Sequence, residues 1–411
     1  MLGRDVEIEV TNVAHGGISV GRLDGRVVFV SDAIPGETVL ARISDDRKRS
    51  FWRADTVRVI EPSEHRRDHV WAEASVDRDP DDRPGGAEFG HIELSHQREL
   101  KRRVLTESIR RMAKLEADAA VEPLPGEPDG TAWRTRLRLH VDEEGRVGPY
   151  AARSHRVIPV GSLPLATAEA RAIAPLGERF VGAEQVDVVV PSAGNPFVLQ
   201  GHGRRAPKPK AQRIVERVGE REFRLDVRGF WQVHRRAAET LSEAVRSSID
   251  AELLDPRAAN LDLYGGVGLL AAAMGEVAGR DFRVTTVESD AVATDHAAEN
   301  LADWVGVSAV TARVERYLDG LLATAGARER ERLSLATVVL DPPRSGAGAA
   351  VVAALAELAP AQLIYVACDP VALARDLGLF AERGYRLEAL RAFDLFPNTH
   401  HVEAVARLVR G

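Results

Sequence analysis

The chain has one cysteine, Cys368, in the run Tyr365-Val366-Ala367-Cys368-Asp369-Pro370, directly after an apolar stretch that reads as a buried strand. A single thiol excludes an internal disulfide and a Cys-ligated metal cluster within one chain. It leaves a packed small hydrophobe or a nucleophile. The surrounding signals favour the nucleophile. Val338-Val339-Leu340-Asp341-Pro342-Pro343-Arg344 delivers Asp341 at the end of another strand, and its two prolines fix the exit of the loop. Phe396-Pro397-Asn398-Thr399-His400-His401-Val402-Glu403 offers two histidines and Glu403 at the start of a strand. Alone, Glu403 reads as a solvated carboxylate and the histidines as surface residues. Together, a thiolate that adds to an electron-poor carbon and a carboxylate that removes a proton are the parts of covalent, proton-transferring catalysis.

Asn260-Leu261-Asp262-Leu263-Tyr264-Gly265-Gly266-Val267-Gly268 is strand, glycine turn, then helix, and the glycines let a ligand approach the backbone. Asp262 precedes the glycines, where a diphosphate would gain nothing from a carboxylate. Glu288 ends the next strand, where it can accept both hydroxyls of a ribose. The pair favours a cationic, phosphate-free nucleoside. S-adenosylmethionine fits, with Asp262 near its charged amino-acid end.

The elements around these residues change character along the chain. Residues 5–60 alternate like short strands with glycine turns at Gly16-Gly17, Asp24-Gly25 and Pro35-Gly36, the pattern of a small barrel. Residues 61–90 read as an irregular connection, and 94–115 as a helix. Trp133–Val141 alternates, with Arg134, Arg136 and Arg138 on one face of a half-buried strand. After Phe223, strand and helix alternate at βαβ spacing, which predicts a mainly parallel sheet covered by helices.

With 411 residues, two or three domains are expected. No run reaches about 18 apolar residues and no secretory leader stands out, so a membrane span is not expected and the cytoplasm is the default. The net charge of −7 argues against a non-specific nucleic-acid coat, without excluding local basic surfaces. Two basic stretches, 98–114 and 204–228, could be solvated faces or phosphate contacts. Pro207 and Pro209 place the early charges of the second on an extended loop.

In this order and spacing, the motifs above together with Phe230-Trp231-Gln232-Val233 and Asp394-Leu395-Phe396-Pro397 resemble the RNA 5-methyluridine methyltransferase family, in its ribosomal-RNA-type members with a TRAM domain. The resemblance covers nearly the whole chain. It implies an α/β protein with a C-terminal Rossmann-like class I methyltransferase domain (229–411), an N-terminal TRAM barrel (1–61) and a mixed, β-rich central RNA-binding domain (62–228), with helix 94–115 at the catalytic periphery. Uracil carbon 5 is a poor nucleophile until a thiolate adds at carbon 6. By resemblance Cys368 is that thiolate and Glu403 the base. Gln232, Asp262, Tyr264, Gly266, Gly268, Glu288 and Asp341 serve S-adenosylmethionine, while Phe230, Gln232, Arg134, Arg136 and Arg138 serve RNA. A monomer is expected.

Three departures matter. Many relatives hold a [4Fe-4S] cluster through four cysteines, but Pro84-Gly85-Gly86-Ala87 stands where Cys-Gly-Gly-Cys would, so no cluster is expected and packing must hold that region. His234 replaces an asparagine that supports the Gln232 loop or the donor. Gly265 and Ala367 replace commoner small polar or cysteine residues, with no required role expected. Cytosine-5 methylation is disfavoured because the loop at Asp341-Pro342-Pro343-Arg344 has no thiol, and amino-group methylation would leave Cys368 and Glu403 idle. The TRAM-like barrel favours 23S ribosomal RNA as substrate over the transfer-RNA T loop. Base flipping is required either way.

Overall fold

The computed structural model describes residues 1–126, 128–201 and 211–411. Strands β1 (Asp5–Ala14), β2 (Ile18–Leu23), β3 (Arg26–Ser31), β4 (Thr38–Asp45) and β5 (Phe51–Glu61) close into a barrel of order β1-β2-β3-β5-β4. Period-two alternation turns Ile8, Val10, Val28, Val30, Val39 and Ile43 inward as its core.

Buried ion pairs join the barrel to the segment after β5. Glu37 takes the Arg66 guanidinium on both oxygens, at 2.5 and 2.7 Å. Arg83, almost wholly buried, donates to Asp32 at 2.8 Å, to the Thr56 carbonyl at 2.9 Å and to the carbonyls of Val76 and Arg78. This is the stretch without cluster cysteines. Packing of Trp71, Ala74 and Ala87 accounts for part of its order. Polar bonds supply the rest, including those from Gly161 N (2.8 Å) and the Ser162 hydroxyl (2.7 Å) to Glu73.

The middle of the chain contains α1 (Leu94–Ser108), which runs into a π-helical turn at Ile109–Ala113, and a short strand β6 (Val121–Glu122). Strands β7 (Arg136–Val141), β8 (Val147–Gly148), β9 (Gln185–Val189) and β10 (Phe197–Gly201) form a sheet of order β10-β9-β7-β8, with α2 (Ala168–Ile173) between β8 and β9 in the chain. A hairpin, β11 (Arg213–Val218) and β12 (Arg221–Asp226), leads into the C-terminal unit.

That unit comprises α3 (Ala237–Ser248), β13 (Asn260–Leu263), α4 (Leu269–Ala278), β14 (Arg283–Glu288), α5 (Ala291–Asn300), β15 (Gly306–Thr311), α6 (Val314–Thr324), α7 (Ala327–Ser334), β16 (Thr337–Leu340), α8 (Gly348–Leu358), β17 (Gln362–Ala367), α9 (Pro370–Ala381), β18 (Tyr385–Phe393) and β19 (Glu403–Arg410). The sheet order is β15-β14-β13-β16-β17-β19-β18-β6, Rossmann-like as expected. Strands β13 to β17 pair in parallel, and β19 enters antiparallel between β17 and β18. The central strands β13, β16 and β17 are buried at every residue, because helices cover both faces. Earlier segments complete this unit. The π turn after α1 packs on α9, β6 pairs with β18, and Ile214, Phe223 and Leu225 of the hairpin share a core with Trp231, α3 and α4. The chain leaves β13 toward β14 and returns at β16 on its other side, which opens a crevice at the carboxyl ends of these strands.

Candidate active site

A cavity of about 1380 Å³ fills that crevice. Parallel β13 and β16 are in register at Leu263 and Leu340, so Tyr264 and Asp341 leave the sheet side by side. Antiparallel pairing of Ala367 with Ala404 makes Cys368 and Glu403 the next residues outward on neighbouring strands. Cys368, Glu403, Asp341, Gln232, Tyr264, Gly266, Glu288, Phe230 and Arg134 all line the one cavity. Glu403 joins Cys368 and Asp341 because the antiparallel last strand brings its start to the parallel strands' ends.

Burial and charge dominate this end of the cavity. Burial pushes the Cys368 thiol up to about 12, reinforced by the Glu403 and Asp341 carboxylates. Arg344 is the cation that acts in the opposite direction. Glu403 is fully buried and rises well above the usual carboxylate range, first through desolvation and then through Asp341. Asp341 and Asp262 each rise to about 7, again chiefly through burial. A cluster of acids that resists ionisation when empty favours a cation entering beside it.

The glycine turn shapes the opposite wall. Tyr264, Gly266 and Gly268 all have positive φ, at 62°, 55° and 91°. A Cβ at Gly266 would meet no atom within 4 Å, so its open face is available to a ligand. Glu288 accepts from Gly266 N at 3.2 Å and from Asp290 N at 2.8 Å, which holds its carboxylate at the cavity wall. These features fit an adenosyl group with a charged tail.

Asp262 and Gly268 were expected against the donor, but neither lines the cavity. Asp262 is wholly buried beneath the turn and accepts the Thr286 hydroxyl at 2.9 Å. Gly268 starts α4 and packs on Leu301. Gly265 also has a role that the sequence did not suggest. A Cβ there would collide with Thr286 Oγ1 and come within 2.5 Å of Asp262 Oδ2.

On the RNA side, Phe230 is 73% exposed at the cavity although its neighbour Trp231 is buried. His234 is buried, stacks on Trp133 with centroids 5.4 Å apart, and accepts from Arg236 N at 3.0 Å. It thereby anchors the Gln232 loop to the central sheet. The three arginines have separate positions. Arg134 lines the cavity. Arg136 is spent internally, donating to the carbonyls of Val227 (3.3 Å) and Gly229 (3.0 Å) and facing Glu216 at 3.5 Å. It thus supports the loop that carries Phe230. Arg138 pairs with Asp187 at 2.8 Å, outside the cavity.

Among the described residues, many charges of the two basic stretches are paired. In 98–114, Lys101 is buried on Asp394 at 2.5 Å, Arg102 and Arg103 pair with Glu99, and Arg111 lies 3.5 Å from Glu107. Arg213, Arg217 and Arg221 pair with Glu299, Glu222 and Asp303. Residues 204–210, including the expected proline-bearing loop, lie outside the described residues. Reading the motifs assigned no role to Arg344, Glu88, Thr399 or His401, all on the cavity wall. Arg344, whose Nη2 is 3.5 Å from His401 Nε2, was already visible in the Asp-Pro-Pro-Arg run.

Among the described residues, no group of three or more His, Cys, Asp or Glu could hold a metal ion, and no helix is long and apolar enough to cross a membrane. The family described as tRNA (Uracil-5-)-methyltransferase matches residues 260–410, and the TRAM domain matches residues 1–52. An uncharacterized RNA methyltransferase of Streptomyces avermitilis is 37% identical, over 99% of this chain and 98% of its own. One of Streptomyces coelicolor is 36% identical, over 99% and 93%. Among solved structures, the Pyrococcus abyssi tRNA (uracil-54, C5)-methyltransferase in complex with S-adenosyl-L-homocysteine superposes with a TM-score of 0.69. At 21% identity it covers 98% of this chain and 99% of its own, which shows a shared fold.

Proposed function

The chain belongs to the TRAM-domain-containing RNA 5-methyluridine methyltransferases, enzymes that use S-adenosylmethionine, and from that premise we propose how its residues divide the work and which RNA they act on. The convergence of Cys368, Glu403 and Asp341 at one end of the cavity carries the reading. When bound, S-adenosylmethionine would supply an electrophilic methyl group; Glu288 would hold its ribose and Asp341 would face its cationic end. The Cys368 thiolate adds to carbon 6 of a flipped uracil, and the displaced π electrons make carbon 5 nucleophilic. Carbon 5 would take the methyl as its bond to the sulfonium breaks, leaving S-adenosylhomocysteine; Glu403 then accepts the carbon-5 proton, the 5,6 double bond re-forms and the thiolate leaves. Burial and Asp341 raise the Glu403 pKa, so once ionised its carboxylate is a stronger base for that proton. Phe230, exposed at the cavity, offers a stacking platform for RNA, and Arg134 a positive charge.

The substrate we favour is the uridine of the transfer-RNA T loop. The matching family's own description and the P. abyssi enzyme, similar in fold from end to end, support it. Because that likeness includes the barrel region, a barrel does not by itself argue for ribosomal RNA. Nucleoside mass spectrometry of both RNA classes from a deletion strain tests this. Loss of 5-methyluridine from transfer RNA is expected; loss confined to 23S ribosomal RNA would overturn the substrate while leaving the chemistry in place.

A further inference from the structure

The tip of the first barrel hairpin reaches the residue beside Cys368. His15 Nε2 lies 2.8 Å from Asp369 Oδ2, while Asp369 Oδ1 accepts from Val371 N (3.0 Å) and Ala372 N (2.8 Å) at the start of α9. One carboxylate therefore ties the helix after the cysteine to a strand turn more than 350 residues earlier. The approach is close by construction. Gly16 and Gly17 have φ of 84° and 70°, and a Cβ on Gly17 would collide with His400 Cβ and come within 2.9 Å of the Phe89 ring. A small cavity of about 140 Å³ beneath the tip is lined by His15, Gly17, Lys101, Arg344, Cys368 and His400.

We propose that His15 is a positioning residue for Cys368, so that the TRAM barrel forms part of the catalytic centre in addition to any contact it makes with RNA. The proposal rests on Cys368 being the nucleophile. Bonding to Asp369 raises the His15 pKa and favours the charged imidazole. The pair is partly exposed, and such pairs contribute only about 0–1 kcal/mol to stability. Its effect falls on geometry instead. Misplacing a reacting group by about 1 Å costs roughly 100-fold in rate.

The test measures covalent trapping by the full-length protein, with S-adenosylmethionine and a saturating RNA carrying 5-fluorouridine at the target. His15→Ala should slow trapping by roughly 10- to 100-fold, with RNA affinity within about twofold of the unaltered protein. His15→Gln should recover most of the rate, because its amide nitrogen reaches a similar point and donates. Asp369→Asn keeps the helix cap but weakens the partner, and its effect should not add to that of His15→Ala. Trapping by His15→Ala at the normal rate, or a loss confined to RNA affinity, overturns the proposal while Cys368→Ala remains inert. Normal trapping by Cys368→Ala would remove the nucleophile assignment, and the latch with it.

Discussion

A thiol held near a pKa of 12 is almost fully protonated at neutral pH, and only the thiolate attacks carbon 6. The rate of adduct formation should therefore climb about tenfold per pH unit between pH 6 and 8. Arg344 is a nearby charge that favours the thiolate, so Arg344→Gln should lower that rate by the same factor across this pH range. A variant with an unchanged rate would show that Arg344 does not activate the thiol. Acid groups on the donor side make a prediction of opposite sense. On the cavity wall, burial and the neighbouring Asp262 raise the Asp341 pKa to about 7, and a cation beside it favours its ionised form. S-adenosylmethionine binding should release protons, and its affinity should fall as pH drops from about 7 to 5. S-adenosylhomocysteine, lacking the sulfonium charge, should show a shallower fall. Calorimetry in buffers of different ionisation enthalpy measures the released protons, and pH-independent affinity would place the cation elsewhere.

At the scale of elements, the glycine turn is a packed unit. Gly265→Ala should cost about 1–3 kcal/mol through overpacking, and Gly265→Ala with Thr286→Ala should recover part of it because the hydroxyl that occupies the space is gone. Thermal melts with and without donor decide this; additive losses would mean that the strain lies in the backbone. The role of Gly265 was invisible in the sequence because it depends on Thr286, across the β13–β14 pairing. The strand ends that carry Asp341, Cys368 and Glu403 were legible because buried central strands are continuous apolar runs. Edge strand β15 and the highly charged α7 lack that contrast, and the exposed and half-buried residues of β18 interrupt its apolar pattern, so these elements are not legible from the sequence. Arg136 and Arg138 looked equivalent by alternation, yet only tertiary contacts distinguish a loop support from an exposed ion pair.

Across the whole molecule, the barrel is welded to the central region by charge. Arg83 reaches Asp32 and the Thr56 carbonyl from a position 3% exposed, so Arg83→Met leaves Asp32 and several carbonyls uncompensated. A loss of about 3–5 kcal/mol in unfolding free energy is expected, measurable by denaturant titration, and a loss under about 1 kcal/mol would place the weld in packing. The composition of residues 66–90 showed that cluster ligands were missing. It could not show that Arg83 and Glu73 bridge the same region, because their partners lie in the barrel and at Ser162.

The role proposed for Cys368 is covalent bonding to carbon 6 of uracil in RNA. Its most direct test is mass spectrometry of the complex formed with 5-fluorouridine RNA and S-adenosylmethionine, digested with protease and nuclease. One cross-linked peptide is predicted, modified at Cys368 by a methylated fluorouridine, together with its complete absence from Cys368→Ala. A cross-link on another residue, or an equal yield from Cys368→Ala, would contradict it.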